Sequence, residues 1–392
     1  MVSDLGKEAI ELHKKFMGKI AVKSLYKVAD RHTLALAYTP GVADVSLHVR
    51  DHPETAFDLT CKGRLACVVS DGTRVLGLGD IGPLGALPVM EGKCMLLKSF
   101  GNVDAVPLCL DTKNEDEIVA VVKAIAPSFG AILLEDFSSP KCFAIEKRLE
   151  SMLDVPVFHD DQHGTAIVAL AGLINALKLT AREDKKSVKI VISGCGAAGV
   201  AIARLFHAYG FRKISIADSK GAVCRPRSDL EEYKKELLPI LEPSEPVSLK
   251  QLLAGADVFV GASAPNILKA EDIKTMAEKP IVFALSNPTP EISPEAAQAG
   301  GAFIYGSGRS DLPNQINNAL GFPGIFRGLL DCRAKRVSMG MKLAAAQAIA
   351  KLAQKEGLSA QKIVPDPFDK KLAKVVAKAV MKAAKKEGLA RA

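Results

Sequence analysis

The feature that constrains the fold most is a strand, a glycine-rich turn and a helix that follow one another near the middle of the chain. Residues 188–193 form an apolar, β-branched run typical of a buried strand. It leads into a G-x-G-x-x-G motif at residues 194–199, and residues 200–209 have a helical pattern. A further strand at 214–217 ends at Asp218, about 20 residues beyond the motif, where an acidic side chain can bind a ribose hydroxyl. This order predicts a Rossmann-like domain that binds a dinucleotide on the glycine turn.

A second match to the same motif lies at residues 77–82. It is followed by Pro83, Gly85 and Pro88, so we expect no regular helix to begin at its third glycine. A motif of this kind is weak evidence unless a strand precedes it and a helix follows it. We therefore predict that residues 77–82 form a turn in a different domain and bind no dinucleotide.

The rest of the chain alternates strand and helix patterns, which is typical of an α/β protein with parallel strands. Residues 65–78 are predicted to form a strand, a turn and a second strand, and further strand patterns continue to residue 305. Two or three Ala- and Lys-rich helices are expected after residue 337. We predict an N-terminal α/β substrate domain at residues 1–155, a Rossmann-like domain with a parallel sheet at 156–330, and a helical C-terminal tail at 331–392.

The composition is that of a globular protein in a reducing compartment. The eight cysteines are scattered and form no C-x-x-C pair, which is typical of an intracellular protein. Residues 1–20 lack the apolar core of a signal peptide and have the spacing of an amphipathic helix. The longest apolar run, residues 166–177, is well short of the roughly 20 residues needed to span a bilayer. We expect a cytoplasmic protein.

The net charge of +8 is concentrated in the C-terminal tail. A basic segment can bind nucleic acid or a membrane surface. Phe368 is the only aromatic residue after position 331, so the tail offers no surface on which bases could stack. We predict a lysine-faced helix that lies on the protein body, with no nucleic-acid or membrane partner.

Two pairs of carboxylates follow predicted strands. Glu135 and Asp136 come after the strand at 131–134, and Asp160 and Asp161 come after an apolar run and before a helix. In an open α/β sheet, ligands bind at the carboxyl ends of the strands. Carboxylates that meet there suit Mg²⁺ or Mn²⁺, which prefer oxygen ligands. Helix capping by Asp160 or Asp161 remains an alternative explanation.

Motifs along most of the chain are similar to those of the malic enzymes, and specifically of the short bacterial and archaeal type. They lie, in order, at residues 38–41, 70–79, 88–93, 134–137, 159–165, 286–289, 317–318 and 322–324. The resemblance implies oxidative decarboxylation of L-malate to pyruvate and CO₂ with reduction of NAD⁺ or NADP⁺. It also implies a divalent cation, Mg²⁺ or Mn²⁺, and a capacity to decarboxylate oxaloacetate.

The resemblance also implies roles for individual residues. Lys93 would be the general base on the C2 hydroxyl, assisted by Asp160, and Tyr38 would be the acid that protonates the enol. A lysine has an ordinary pKa of about 10.4, so we expect burial and the nearby cation to depress the pKa of Lys93. The metal ligands would be Glu135, Asp136 and Asp161. Substrate and nicotinamide contacts would come from Arg74, Lys93, Asn287 and either Asn317 or Asn318.

Cofactor choice stays open at this point. Asp218 favours NAD because it can bind the 2′-hydroxyl, whereas Lys220, Arg225 and Arg227 could accommodate a 2′-phosphate. Some NADP-preferring malic enzymes carry Ser-Lys directly after this aspartate, as Ser219 and Lys220 do here, which favours NADP modestly. The remaining cofactor-binding residues implied are Gly194, Cys195, Gly196, Ala197, Ala198, Gly199 and Asn287.

Other interpretations are less consistent with these residues. An amino-acid dehydrogenase has no need of a carboxylate metal site, and a non-catalytic nucleotide sensor has no need of Tyr38 and Lys93. His159 and His163 flank the aspartates, but a zinc site is disfavoured because no cysteine joins them. The malic enzymes assemble as homodimers or homotetramers, and the N-terminal helix is a candidate for such an interface.

Overall fold

The computed structural model describes residues 4–392, which form an α/β protein with two mainly parallel sheets and helices around them. The N-terminal stretch is helical and precedes the first sheet. Its helices are α1 (Asp4–Phe16), α2 (Arg31–Ala37), α3 (Gly41–Asp51) and α4 (Ala56–Leu59). The expected amphipathic helix is therefore present as α1, although its predicted first residues lie outside the described ones.

The first sheet has four strands in the order β2-β1-β3-β4, all parallel. Its elements are β1 (Leu65–Ser70), α5 (Gly82–Gly101), β2 (Asp104–Cys109), α6 (Glu115–Ile125), β3 (Ala131–Leu134), α7 (Lys141–Met152) and β4 (Val157–His159). From β1 the chain continues to β2 on one side of that strand and then to β3 on its other side. That reversal of strand order is the place where an open α/β sheet binds its ligand.

The second sheet has six strands in the order β10-β9-β8-β5-β6-β7, and β7 alone is antiparallel to its neighbour. The strands are β5 (Lys189–Ser193), β6 (Lys213–Asp218), β7 (Gly221–Ala222), β8 (Val258–Gly261), β9 (Ile281–Ala284) and β10 (Ile304–Ser307). The intervening helices are α9 (Ala197–Tyr209), α10 (Glu232–Lys235), α11 (Leu249–Leu253), α12 (Ala270–Lys274) and α13 (Pro294–Ala299). The Rossmann-like arrangement predicted around the glycine turn is confirmed.

Helix α8 (Asp160–Leu179) joins the two sheets and is buried along almost its whole length. A helix that is apolar on all sides is stable only inside a core, and α8 packs against α9 and a C-terminal helix. The C-terminal helices are α14 (Phe322–Asp331), α15 (Met339–Glu356) and α16 (Leu372–Lys386). The apolar face of α16 is buried and its lysines are exposed, as predicted for the basic tail. The boundaries at residues 155 and 330 stay predictions.

Two predictions for the region after β1 are wrong. No second strand follows the turn at residues 70–73, and residues 72–79 form a loop closed by a single bridge between Val75 and Gly79. A helix does begin at Gly82, because Pro83 occupies a first-turn position that needs no N–H donor. Pro88 lies inside that helix instead of preventing it. The motif at residues 77–82 still differs from the predicted dinucleotide turn at residues 194–199, because no strand leads directly into it.

Among residues 4–392, no helix is long and apolar enough to cross a membrane.

Candidate functional site

A cleft of about 1160 Å³ lies where the carboxyl ends of both sheets face each other. The first sheet contributes the loop after β1 and the segment after β3, and the second contributes the glycine turn and the loops after β8, β9 and β10. Most of the predicted site residues line this cleft: Arg74, Lys93, Glu135, Asp136, Asp161, Gly196, Ala197, Ala198, Asn287, Asn317 and Asn318.

The predicted metal ligands converge at the base of the cleft. Glu135 and Asp136 directly follow β3, and Asp161 lies in the first turn of α8 after β4. One oxygen from each lies within 4.8 Å of the others, so the three could hold a single cation. The N–H of Asp136 donates to Asp161 Oδ2 at 2.8 Å, which ties the two segments together.

The electrostatics of this cluster fit a bound cation. Glu135 Oε2 and Asp136 Oδ2 are buried and have no hydrogen-bond partner within the described residues. Burial and the neighbouring carboxylates raise the pKa of Glu135 and of Asp136 above their usual range. Buried carboxylates of like charge are unfavourable unless a positive charge accompanies them. An oxygen-only donor set of this kind suits Mg²⁺ or Mn²⁺.

Lys93 extends from α5 into the same cluster. Its Nζ lies 2.9 Å from Glu135 Oε1 and donates to Asp160 Oδ2 at 2.6 Å. It also lies 4.8 Å from the centre of the Phe322 ring. Burial opposes the charge on Lys93, but attraction to Asp160 and Glu135 outweighs burial and raises the pKa of Lys93. The expected depression of the Lys93 pKa assumed a nearby cation, and it stays a prediction for the cation-bound protein.

Gly164 allows Asp160 to adopt its position beside Lys93. A Cβ at Gly164 would collide with Asp160 Oδ1 and come within 3.0 Å of Asn318 Cβ. The carboxylate of Asp160 therefore folds back over the first turn of α8, where it is fully buried. Sequence reasoning assigned no role to Gly164, although it lies in the 159–165 motif.

The predicted substrate contacts differ in how free their side chains are. The Arg74 side chain is exposed to the cleft and forms no ion pair within residues 4–392, so it is available for a substrate carboxylate. Asn317 accepts from the N–H of Ala319 at 2.9 Å and caps the following turn. The Asn318 side chain forms no hydrogen bond within the described residues. Asn318 is therefore better placed than Asn317 to contact a ligand.

Tyr38 is not brought to the site. It lies between α2 and α3 with 65% of its surface exposed, and it does not line the cleft. The prediction of Tyr38 as the acid is thus not met by the geometry of one chain. No residue from Asp4 to Leu65 is buried, so the whole stretch around Tyr38 lies outside the core.

The glycine turn has the geometry that a dinucleotide needs. Gly194 has a φ of +100° and lies against the backbone of Ala262, and Gly199 lies against the carbonyl of Gly194, so a side chain at either position would collide. A Cβ at Gly196 would meet nothing within 4 Å, so this glycine faces open space in the cleft. Cys195 is buried, and burial raises the pKa of its thiol to about 12, which leaves it a packing residue.

Asp218 lies at the end of β6 and is surrounded by donors. Arg227 binds its two oxygens at 2.8 and 3.1 Å, Lys234 Nζ donates at 3.0 Å, and the N–H of Lys220 donates at 2.9 Å. Although burial opposes its charge, these donors hold the pKa of Asp218 below its usual value. The Lys220 side chain instead donates to Asp229. Lys234 was not predicted as a site residue, because its separation from β6 along the sequence gives no sign that it contacts Asp218.

Glu291 was also missed. It is fully buried, and its carboxylate accepts from the N–H of Ser263 at 2.8 Å and the N–H of Ser286 at 3.0 Å. It therefore joins the loops after β8 and β9, which line the cleft beside the glycine turn. Its only sequence signal is an acidic residue shortly after the 286–289 motif.

Comparison with known proteins gives consistent matches over nearly the whole chain. Family models described as "Malic enzyme, N-terminal domain" and "Malic enzyme, NAD binding domain" match residues 17–150 and 162–385. The bifunctional malic/malolactic enzyme of Bacillus subtilis is 50% identical over 389 residues, covering 99% of this chain and 95% of that protein. The NAD-dependent malic enzyme of Geobacillus stearothermophilus is 53% identical over 377 residues, covering 95% of this chain and 78% of that protein.

Solved structures agree with these matches. The NAD-dependent malic enzyme of Thermotoga maritima has a TM-score of 0.92 at 46% identity and covers 95% of this chain and 98% of its own. The malic enzyme of Pyrococcus horikoshii has a TM-score of 0.94 at 43% identity and covers 99% of this chain and 92% of its own.

The NADP-dependent malic enzyme of Escherichia coli is 41% identical over 408 residues, so similar proteins differ in their nicotinamide cofactor.

Replacing Glu291 tests its role in holding the two loops. Glu291→Ala removes the acceptor of two buried N–H groups, so we expect dinucleotide affinity to fall about tenfold or more. Isothermal titration with the dinucleotide measures this, and Glu295→Ala, an exposed glutamate in α13, is the matched control. Unchanged affinity in Glu291→Ala would contradict the role.

Proposed function

The chain belongs to the malic enzyme family, and we propose that it carries out oxidative decarboxylation of L-malate with NADP⁺ as the preferred acceptor and Mn²⁺ or Mg²⁺ as the cation. The observation that carries the proposal is the buried cluster of Glu135, Asp136 and Asp161, with two unpartnered oxygens, beside Lys93 and across one cleft from the glycine turn. Decarboxylation of oxaloacetate at the same cluster is a further expected activity.

The chain's own residues would divide the chemistry as follows. Lys93 would take the proton from the C2 hydroxyl in its neutral form, which becomes accessible only when a cation offsets the carboxylates that raise its pKa, and Asp160 at 2.6 Å holds the amine in position. Arg74 binds a substrate carboxylate through its planar fork, and Asn287 and Asn318 orient the substrate against the nicotinamide. When bound, the cation supplies Lewis acidity to the substrate carbonyl and offsets the carboxylate charge, and the nicotinamide accepts the hydride.

The direct test is purified protein with L-malate, Mn²⁺ and NADP⁺ or NAD⁺, followed at the absorbance of the reduced nicotinamide. We expect turnover, and we expect Lys93→Ala to lower kcat by at least about 100-fold because the base is lost. Lys98→Ala is the matched control, since Lys98 lies on the same helix but pairs with Asp104 at the surface. Binding of both dinucleotides without reduction of either would refute the proposal.

The preference for NADP⁺ is supported by the surroundings of Asp218. Its carboxylate already accepts from Arg227, Lys234 and the backbone of Lys220, so a ribose diol would compete with four hydrogen bonds. Arg227 and Lys234 are largely buried cations beside the expected ribose position, and a 2′-phosphate is the group that such cations favour.

Replacing Arg227 tests this preference. Arg227→Ala should lower kcat/KM for NADP⁺ about tenfold or more, while kcat/KM for NAD⁺ stays level or rises, because Asp218 is released. Arg204→Ala, which removes an arginine paired with Glu236 at the surface, is the control. Equal losses with the two cofactors, or a wild-type preference for NAD⁺, would contradict this part of the proposal.

The proposal also includes a homodimer in which Tyr38 acts across the interface. Helices α2 and α3 pack mainly on each other and on the short helices that follow, and neither has a buried residue. Helices this short are unstable alone in water, and exposed apolar surface of this extent marks a protein interface. The apolar side chains concerned include Leu25, Tyr26, Leu34, Leu36, Val45 and Leu47.

A second copy of the chain, packed on this exposed apolar surface, would also supply the acid that the cleft of one chain lacks. One cleft holds Lys93 and the carboxylates but no tyrosine, while Tyr38 stands exposed on the unpacked segment. In a twofold dimer each copy presents the same surface, so each cleft can receive one Tyr38 from the other copy. Tyr38 would then protonate C3 of the enol formed by decarboxylation.

Mixing two inactive variants tests this arrangement. Tyr38→Phe and Lys93→Ala should each be inactive alone, but their mixed dimer contains one intact site, so random exchange should restore about a quarter of wild-type activity. Native mass spectrometry of the mixture confirms that mixed dimers have formed. If mixed dimers are present and remain inactive, Tyr38 acts within its own chain or not at all.

A further inference from the structure

A second polar cluster lies behind the metal-ligand carboxylates, inside the protein. At its centre is Glu146 of α7, which is 6% exposed. Its carboxylate accepts from the N–H of His159 at 2.9 Å and from Gln162 Nε2 at 2.9 Å, and it lies 2.9 Å from His163 Nε2. The catalytic roles proposed above use none of these four residues, although three of them lie between β4 and the first turns of α8.

Glu146 is held in its charged form. Burial disfavours the charge, but His163, Lys342 and His159 outweigh burial and lower the pKa of Glu146 to about 2. Lys342 reaches the cluster from α15, with its Nζ 3.1 Å from the ring of His163. A buried carboxylate whose charge is balanced by neighbouring cations in this way accepts hydrogen bonds from its neighbours and donates none.

Glu146 thereby fixes the orientation of the Gln162 amide. Gln162 Nε2 faces Glu146 Oε2, and the reversed amide would place its oxygen against a carboxylate. The same Nε2 lies 2.9 Å from His159 Nδ1, so it donates there and His159 Nδ1 accepts. With Nδ1 as the acceptor, the ring N–H of His159 that remains for another contact is the one on Nε2.

His159 Nε2 faces a metal-ligand carboxylate. It is buried, forms no hydrogen bond within the described residues, and lies 3.2 Å from Asp161 Oδ2. The N–H of Asp136 donates to the same Oδ2. The Asp136 N–H and the His159 ring therefore both lie against Oδ2, which restricts the Asp161 carboxylate to one orientation.

We infer that Glu146, Gln162 and His159 form a positioning relay that orients Asp161 for the divalent cation. The inference rests on the proposed metal site, and the relay residues touch neither cation nor substrate. Groups that hydrogen-bond a metal ligand from behind set its orientation and so contribute to metal affinity. If these side chains served only to fill space, apolar residues would suffice, and a series of polar contacts that leads to an oxygen of a proposed metal ligand would not be required.

The test is Mn²⁺ affinity, measured by electron paramagnetic resonance of free Mn²⁺ without malate or dinucleotide. His159→Phe keeps a ring next to Phe137 but removes the donor, so we expect Mn²⁺ to bind about 10- to 100-fold more weakly. His159→Gln keeps an N–H donor and should recover part of the affinity. NADP⁺ affinity should stay at the wild-type value, and saturating Mn²⁺ should restore most of kcat in His159→Phe.

Two further variants keep the test decisive. Gln162→Met breaks the relay while leaving His159 in place, and it should also weaken Mn²⁺ binding, which covers the case that His159→Phe does not fold. Asn175→Leu is the matched control, because Asn175 is a fully buried polar residue of the same helix that donates to the carbonyls of Ala350 and Ile363. It should lower the thermal unfolding temperature without changing Mn²⁺ affinity.

The outcomes separate the two proposals. Wild-type Mn²⁺ affinity in both His159→Phe and Gln162→Met would overturn the relay and leave the metal site standing. An equal loss in Asn175→Leu would also overturn it, because the effect would then be general destabilisation. Failure of the wild-type chain to bind Mn²⁺ would refute the proposed metal site itself.

Discussion

The site depends on one buried amine shared by two carboxylates. Lys93 lies between Glu135 at 2.9 Å and Asp160 at 2.6 Å, in a place where the lysine side chain is only 11% exposed. This single positive charge cannot balance four neighbouring carboxylates. Three of their oxygens have no hydrogen-bond partner within the described residues, and burial together with the neighbouring carboxylates raises the pKa of Glu135. This imbalance of charge is the physical basis of the proposed affinity of the cluster for a divalent cation.

The rest of the fold serves to bring that cluster against the dinucleotide turn. Apart from β7, the strands of both sheets are parallel and direct their carboxyl ends into one cleft, so groups from distant parts of the chain meet there. The buried helix α8 connects the sheets, and its first turn carries Asp160 and Asp161. Glu291, in the loop after β9, joins the loops after β8 and β9, and Gly164 on α8 leaves room for the Asp160 carboxylate.

Much of this arrangement could be predicted from sequence because it is local. The strand, glycine turn and helix at residues 188–209 are specified by neighbouring residues, and a carboxylate after a parallel strand must lie at the sheet edge. The helix beginning at Gly82 was missed because Pro83 was interpreted as a breaker when it occupies a first-turn position. Lys234 and Glu291 were missed because their roles depend on tertiary contacts that no spacing reveals.

The position of Tyr38 relative to the site was the hardest feature to predict. Its expected role requires a contact that one chain alone does not make, and no pattern within a single sequence describes how a second copy packs.

The central claim is that Glu135, Asp136 and Asp161 form one cation site beside Lys93. Anomalous diffraction at the manganese absorption edge, from crystals of the protein soaked in Mn²⁺, tests it most directly. The account predicts a single strong peak within bonding distance of oxygens from all three carboxylates. A cleft without such a peak, or a peak bound by His159 or His163 instead, would contradict it.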